Sequence, residues 1–170
     1  MKRSRLWIMI GLGLVAGMMF VAPGHAQKSF TIEQVLSYAF PYELVSARKA
    51  DRIAWLEVEQ GKRNVYTATV PDFAPVRLTS FMADDGIDLT SLAISEDGAV
   101  VVFVRGHDPN RDGWIANPTQ FPDGSEQAIW AVRTREATPF RVAAGSSPVL
   151  SPDGTRVAWV KDGEIYAASI

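Results

Sequence analysis

Cysteine is absent from the 170-residue chain, and histidine occurs only at His25 and His107. The first absence excludes a disulfide scaffold, thiol catalysis and cysteine-ligated zinc. The second leaves His107 as the one histidine outside the apolar N-terminal stretch. Basic charge is scarce where a fold could use it. Of 17 Lys and Arg residues, Lys2, Arg3 and Arg5 precede residue 27, leaving 14 against 19 acidic residues. That acidic balance argues against a nucleic-acid partner, whose phosphates need a basic face. What is present is ordinary globular material, 47% hydrophobic and 21% charged, and the length suits one domain.

Residues 1–26 read as a signal peptide. A basic start precedes an apolar run from Leu6 to about Ala22, then Pro23, and Gly24 and Ala26 stand at small-residue positions ahead of Gln27. The expectation is export to the periplasm or medium, with no stable membrane span after cleavage. At about 17 residues the run is near the lower limit for crossing a bilayer, so an uncut anchor is the alternative. Residues 27–43 read as a lead-in segment. Within it Thr31 N-caps a short helix over 31–38, with Gln34 completing the capping box and Phe30 and Val35 at staple positions. The helix is expected to pack as a plug on the edge of the fold.

From about Leu44 the pattern turns strand-like and repeats. RIAWL (52–56), VVVFV (100–104) and RVAWV (156–160) are short β-branched or aromatic runs. Near-identical turns, SEDGA (95–99) and SPDGT (151–155), precede two of them, while Arg48 to Asp51 replace the turn in the first. Asp-Gly supplies the positive backbone angle that a tight turn needs. Each run leads through a second turn to an aromatic strand at Tyr66, Trp130 or Tyr166, and a third strand repeats as PVRLT (75–79) and PFRVA (139–143). Trp55, Phe103 and Trp159 lie 48 and 56 residues apart, and four-stranded propeller blades recur every 40–50 residues or so. The fold class is therefore all-β, an incomplete β-propeller of about three blades over 44–170, with blades near 44–80, 88–144 and 145–170, the last incomplete. The six aromatics read as blade-to-blade core.

SPDGTRVAWVKDGEIY (151–166) resembles the repeat shared by TolB-like periplasmic propellers and the propeller domains of prolyl oligopeptidase family serine peptidases. The stretch 38–79, with the DDG of 84–86 and LTSLAISEDG of 89–98, is similar to the opening of secreted dipeptidyl- or acylaminoacyl-peptidase-like enzymes. That resemblance implies a signal peptide, a lead-in, a propeller and then a downstream α/β-hydrolase domain acting on peptide substrates. No Gly-x-Ser-x-Gly elbow occurs in this chain, and no βαβ alternation carries a hydrolase sheet. His107 stands beside Asp108 with no elbow serine, so no residue is assigned as catalytic. No cofactor is implied. On these grounds the chain is expected to be the front part of a longer protein.

One insertion interrupts the middle repeat. GHDPNRDGWIANPTQFPDGSEQ (106–127) carries three prolines and three glycines, which make it a loop. Asp108, Asn110, Asp112 and Gly113 imitate the start of a calcium loop, but Thr119 stands where the twelfth-position Glu belongs. An Asx-rich turn is preferred and no metal is assigned. Long loops on rigid blades carry specificity. His107, Arg111, Asp112, Trp114 and Phe121 are therefore the candidates for lining a substrate route or domain interface, the alternative being a plain solvent loop. Glu126 or Asp123 could meet a substrate amine, although ordinary surface charge is the commoner explanation.

Three functional readings follow. The first is the non-catalytic propeller portion of an exported serine peptidase, gating and selecting peptides. The second is a TolB-like propeller that docks protein partners, and the third a truncated remnant without function.

Overall fold

The computed structural model describes residues 30–170; the signal-peptide and uncut-anchor readings, on residues 1–26, lie outside them. No helix among the described residues is long and apolar enough to cross a membrane.

Helix α1 (Ile32–Leu36) forms with the anticipated capping box. The Gln34 amide donates to Thr31 Oγ1 at 3.2 Å, and the Thr31 amide donates to Gln34 Oε1 at 3.1 Å. Among the described residues the expected packing does not form. No residue of α1 is buried, and Ile32 and Leu36 are 75% and 69% exposed.

Three antiparallel sheets follow in chain order. The first holds β1 (Phe40–Ser46), β2 (Arg52–Glu59), β3 (Lys62–Thr69) and β4 (Val76–Arg77). The second holds β5 (Leu89–Ile94), β6 (Val100–Arg105), β7 (Ala128–Arg133) and β8 (Pro139–Ala144), and the third β9 (Ser146–Leu150), β10 (Arg156–Lys161) and β11 (Glu164–Ser169). Each is an up-and-down meander, so the described residues form an open propeller of three blades, the last with three strands.

The first blade begins at Phe40, inside the segment read as a lead-in, because each blade opens on an inner strand that the repeat reading passed over. These strands lack clean alternation for one shared reason. Glu43, Ser91 and Ser147 have positive φ (48°, 57° and 54°), and the register shifts beside each. The bulge displaces one residue and breaks the period of two.

The first turns form as read. Ser95 Oγ donates to Asp97 Oδ1 at 2.6 Å, and Ser151 Oγ donates to Asp153 Oδ1 at the same distance. The replaced turn of the first blade holds the equivalent place. The Lys49 amide donates to the Glu96 carbonyl at 2.7 Å, and the Glu96 amide to the Pro152 carbonyl at 3.3 Å, so the three turns bond in series. Gln60-Gly61 and Asp162-Gly163 both have paired positive φ, the signature of a two-residue hairpin turn that matches strand twist.

Two cores lie between the sheets. Ala54, Leu56 and Val65 of the first blade pack on Val101, Phe103 and Val132 of the second, with Phe81 edge-on to both Phe103 and Trp130. Val102, Val104, Ile129 and Ala131 of the second pack on Val157 and Trp159 of the third. β6 is buried on both faces, which is why its sequence is continuously apolar. Phe103 and Trp159 serve as blade-to-blade core as expected, and Trp130 packs against the first core. Trp55 and Tyr66 instead stack on each other at 5.7 Å, only partly buried.

Candidate functional site

The insertion leaves β6 after Arg105 and rejoins at Ala128, so both of its feet stand at one end of the middle blade. The feet lie close together. A Cβ at Gly106 would collide with the Glu126 carbonyl oxygen, which restricts that position to glycine.

His107 fastens the first foot. Its Nδ1 lies 3.0 Å from Asp88 Oδ2 and its Nε2 2.9 Å from the Gly86 carbonyl oxygen. Both partners are hydrogen-bond acceptors. Arg63 Nε approaches the other Asp88 oxygen at 3.4 Å. Beside it the Arg105 guanidinium pairs with Asp85 and lies 4.7 Å from the centre of the Phe81 ring. Gly86 of the DDG segment and Asp88 two residues after it thus anchor the loop. At the second foot Gln127 Nε2 donates to Asp108 Oδ1. Next to it Arg141 grips Glu126 bidentately, Nε to Oε1 at 2.8 Å and a terminal nitrogen to Oε2 at 2.7 Å. That hydrogen bonding holds the Glu126 carboxyl below its ordinary range and raises Arg141. Glu126 therefore already has its cation.

Above the feet the loop is tied into two knots by asparagine. Asn110 Oδ1 accepts from the Asp112 and Trp114 amides at 3.0 and 2.8 Å, and the Asn110 amide donates to the Trp114 carbonyl at 2.8 Å. Asn117 Oδ1 accepts from the Phe121 amide at 3.1 Å, while its Nδ2 donates to the Phe121 carbonyl at 2.9 Å. The Asx-turn reading describes this geometry, since the Asn110 oxygen is spent on backbone amides. Each knot lifts one aromatic: Trp114 is 77% exposed and Phe121 58%.

The five sequence candidates therefore do not converge on one point. His107 is a foot, Trp114 crowns the first knot flanked by exposed Arg111 and Asp112, and Phe121 crowns the second. Arg111 and Asp112 form no ion pair among the described residues. Phe121 lines a cleft of about 360 Å³ with Ile87, Arg105, Asp123 and Glu126. A second cleft, about 500 Å³, separates the loop (Pro109, Gly113, Ile115) from the β10–β11 hairpin (Val160, Lys161, Gly163). The hairpin was not singled out from sequence, because its Lys161 and Asp162 read as an ordinary turn and only the blade packing brings it under the loop.

As chemistry, the arrangement offers contact surface and charge. Both His107 nitrogens are committed to Asp88 and Gly86, so the ring holds no free position for activating a serine.

No protein-family model matches the chain, and no curated protein matches it. Solved structures do. An acylaminoacyl peptidase in complex with Z-Gly-Gly-Phe-chloromethyl ketone is similar at 12% identity and a TM-score of 0.48, over 75% of this chain and 18% of that one. TolB from Acinetobacter baumannii is similar at 17% identity and a TM-score of 0.48, over 75% of this chain and 30% of that one. A puromycin-hydrolyzing peptidase of Mycobacterium tuberculosis is similar at 18% identity and a TM-score of 0.44, over 78% and 22%. The chain thus spans less than a third of each of these structures.

Proposed function

We propose that this chain is the propeller portion of an exported serine peptidase of the prolyl oligopeptidase family, non-catalytic by itself. Its 106–127 loop lines the route by which peptides reach a hydrolase domain. The observation that carries the reading is the build of the loop: feet fixed by His107–Asp88 and Glu126–Arg141, knots fixed by Asn110 and Asn117, and a large aromatic on each knot. A solvent loop needs no such bracing. A surface that selects among peptides does, because preorganised aromatics bind without the entropic cost of ordering the loop. Trp114 and Phe121 supply apolar contact, and Arg111, Asp112 and Asp123 supply charge at the same end of the blade. The resemblance of 38–79 and 151–166 to such peptidases supports the reading, under which the chain is periplasmic or secreted.

The test replaces Trp114 and Phe121 with alanine, singly and together, in the polypeptide that carries the hydrolase activity. The reading expects kcat/KM to shift by about tenfold, equal to about 1.4 kcal/mol, for some peptides and not for others. Unchanged ratios across a peptide panel, with unchanged stability, refute it.

A further inference from the structure

The outer strands of the first two blades diverge at one position. Tyr66 opposite Arg77 and Trp130 opposite Arg141 align the blades, which sets Asn64 of β3 where β7 has Ala128. In the second blade the ladder runs on to Ala144 opposite Ala128. In the first, β4 is two residues long, and side chains take over where it stops. The Val65 amide donates to Thr79 Oγ1 at 3.0 Å instead of to a carbonyl. Thr79 Oγ1 and the Phe81 amide both donate to Asn64 Oδ1, at 2.9 and 2.8 Å, and Asn64 Nδ2 donates to the Phe81 carbonyl at 3.1 Å. Asn64 is 4% exposed and Thr79 1%, so water does not replace a lost partner in this clasp.

The clasp turns the chain off the edge of its own sheet and sends residues 79–88 across to the second blade as a strap. The Asp84 carboxylate rests over Gly61, at the turn between β2 and β3, where a Cβ would collide with it. Asp85 then takes Arg105, and the Asp88 carbonyl accepts the Gly106 amide at 2.9 Å. With the two His107 contacts, these bonds fasten the first foot of the loop to the strap. The strap reaches the second knot as well. Pro118, next to Asn117, lies so close to Gly86 that a Cβ there would stand 3.1 Å from Pro118 Cβ. Every one of these contacts falls between residues 61 and 118, within the first two blades.

We propose that Asn64 and Thr79 are positioning residues for the 106–127 loop. By clasping the strap they fix the first foot and the second knot, and through these the stance of Trp114 and Phe121. The sequence carries the device as a polar pair, Asn64 and Thr79, where the matching repeat has Ala128 and Ala143. The first blade thereby sets the geometry of a loop that belongs to the second. The positioning stands on the geometry of the clasp and strap; its consequence for peptide selection rests on the peptidase reading.

Hydrogen exchange on the protein expressed from its full sequence tests the positioning. Asn64→Ala removes three bonds of the clasp, Thr79→Val removes the hydroxyl at nearly constant volume, and Thr79→Ser keeps the hydroxyl. The expected result is exchange several-fold faster over 79–88 and 106–124 in the first two variants, with β6, β7 and β10 still protected. Thr79→Ser should exchange as the natural chain does. Quickening confined to 79–88 would overturn the proposal, because the loop would then hold its own position. Uniform quickening would overturn it too, since the clasp would then support the whole fold. If Asn64→Ala does not fold, the Thr79 pair decides alone. In the polypeptide that carries the hydrolase activity, Thr79→Val should shift kcat/KM for the same peptides as Trp114→Ala and Phe121→Ala. A loosened loop with unchanged peptide ratios would support the positioning and refute the peptide-route reading.

Discussion

The Glu43 carboxylate accepts a hydrogen bond from the Leu92 backbone amide at 2.9 Å, joining the bulge of one inner strand to the next inner strand. Tyr42 beside it donates its hydroxyl to the Leu89 carbonyl at 3.1 Å. Burial pushes the Tyr42 phenol up to about 12, so it stays a donor throughout the working pH range. These two bonds link blades that elsewhere meet through apolar packing and turns.

Glu43→Ala should therefore cost about 1–3 kcal/mol, the penalty of leaving the Leu92 amide unpaired, and Glu43→Gln much less because it keeps an acceptor. Urea unfolding of the two variants checks this, and equal losses would count against the bond.

The Asp153 carboxyl is held down to about 2 by hydrogen bonds from the Ser151 hydroxyl and from the Thr155 amide and hydroxyl. A folded pKa below the unfolded value of 3.8 contributes stability that is present above about pH 4 and is lost as pH falls toward about 2. Asp97, in the matching turn, is shifted in the same direction, first by its Ser95 hydrogen bond. Asp153→Asn should flatten the acid limb of a stability profile between about pH 4 and 2, and carboxyl NMR titration of Asp153 should give a midpoint near 2. An ordinary midpoint would show that the turn does not hold the carboxylate.

His107→Ala should loosen the loop without unfolding the blades. Losing the bonds to Asp88 and Gly86 removes about 1 kcal/mol of local protection or more. Hydrogen exchange should quicken several-fold across the first foot and knot while β6 and β7 keep their protection. Uniform quickening would mean that His107 supports the whole fold instead.

Phe103 and Trp114 make opposite predictions from similar chemistry. Phe103 is 0% exposed between two blades, so Phe103→Ala should cost about 3–5 kcal/mol. Trp114 is 77% exposed, and Trp114→Ala should change stability by no more than about 0.5 kcal/mol. Thermal or denaturant unfolding separates the two directly.

What was legible in the sequence follows from the same physics. Middle strands such as VVVFV lie between two faces and must be apolar throughout, and the Asp-Gly and hairpin turns need glycine where φ is positive, so both signals survive in composition. The inner strands were not legible, because the positive-φ residues Glu43, Ser91 and Ser147 interrupt their alternation and are not glycines. Thr31 and Gln34 foretold the helix cap, which is local, but no local pattern says what a helix packs against, and α1 packs against nothing described. In the loop, exposed Trp114 and Phe121 could be picked by residue type. The pairing of His107 with Asp88 could not, since it depends on the DDG segment folding back beneath the insertion.

The most direct test of the central claim, a propeller serving a hydrolase domain, is to capture the native protein from its source cells with an antibody against residues 30–170 and label it with a fluorophosphonate probe for active serines. The account predicts a captured band heavier than the 170-residue chain that takes the label. A band of the chain's own size that takes no label would contradict it.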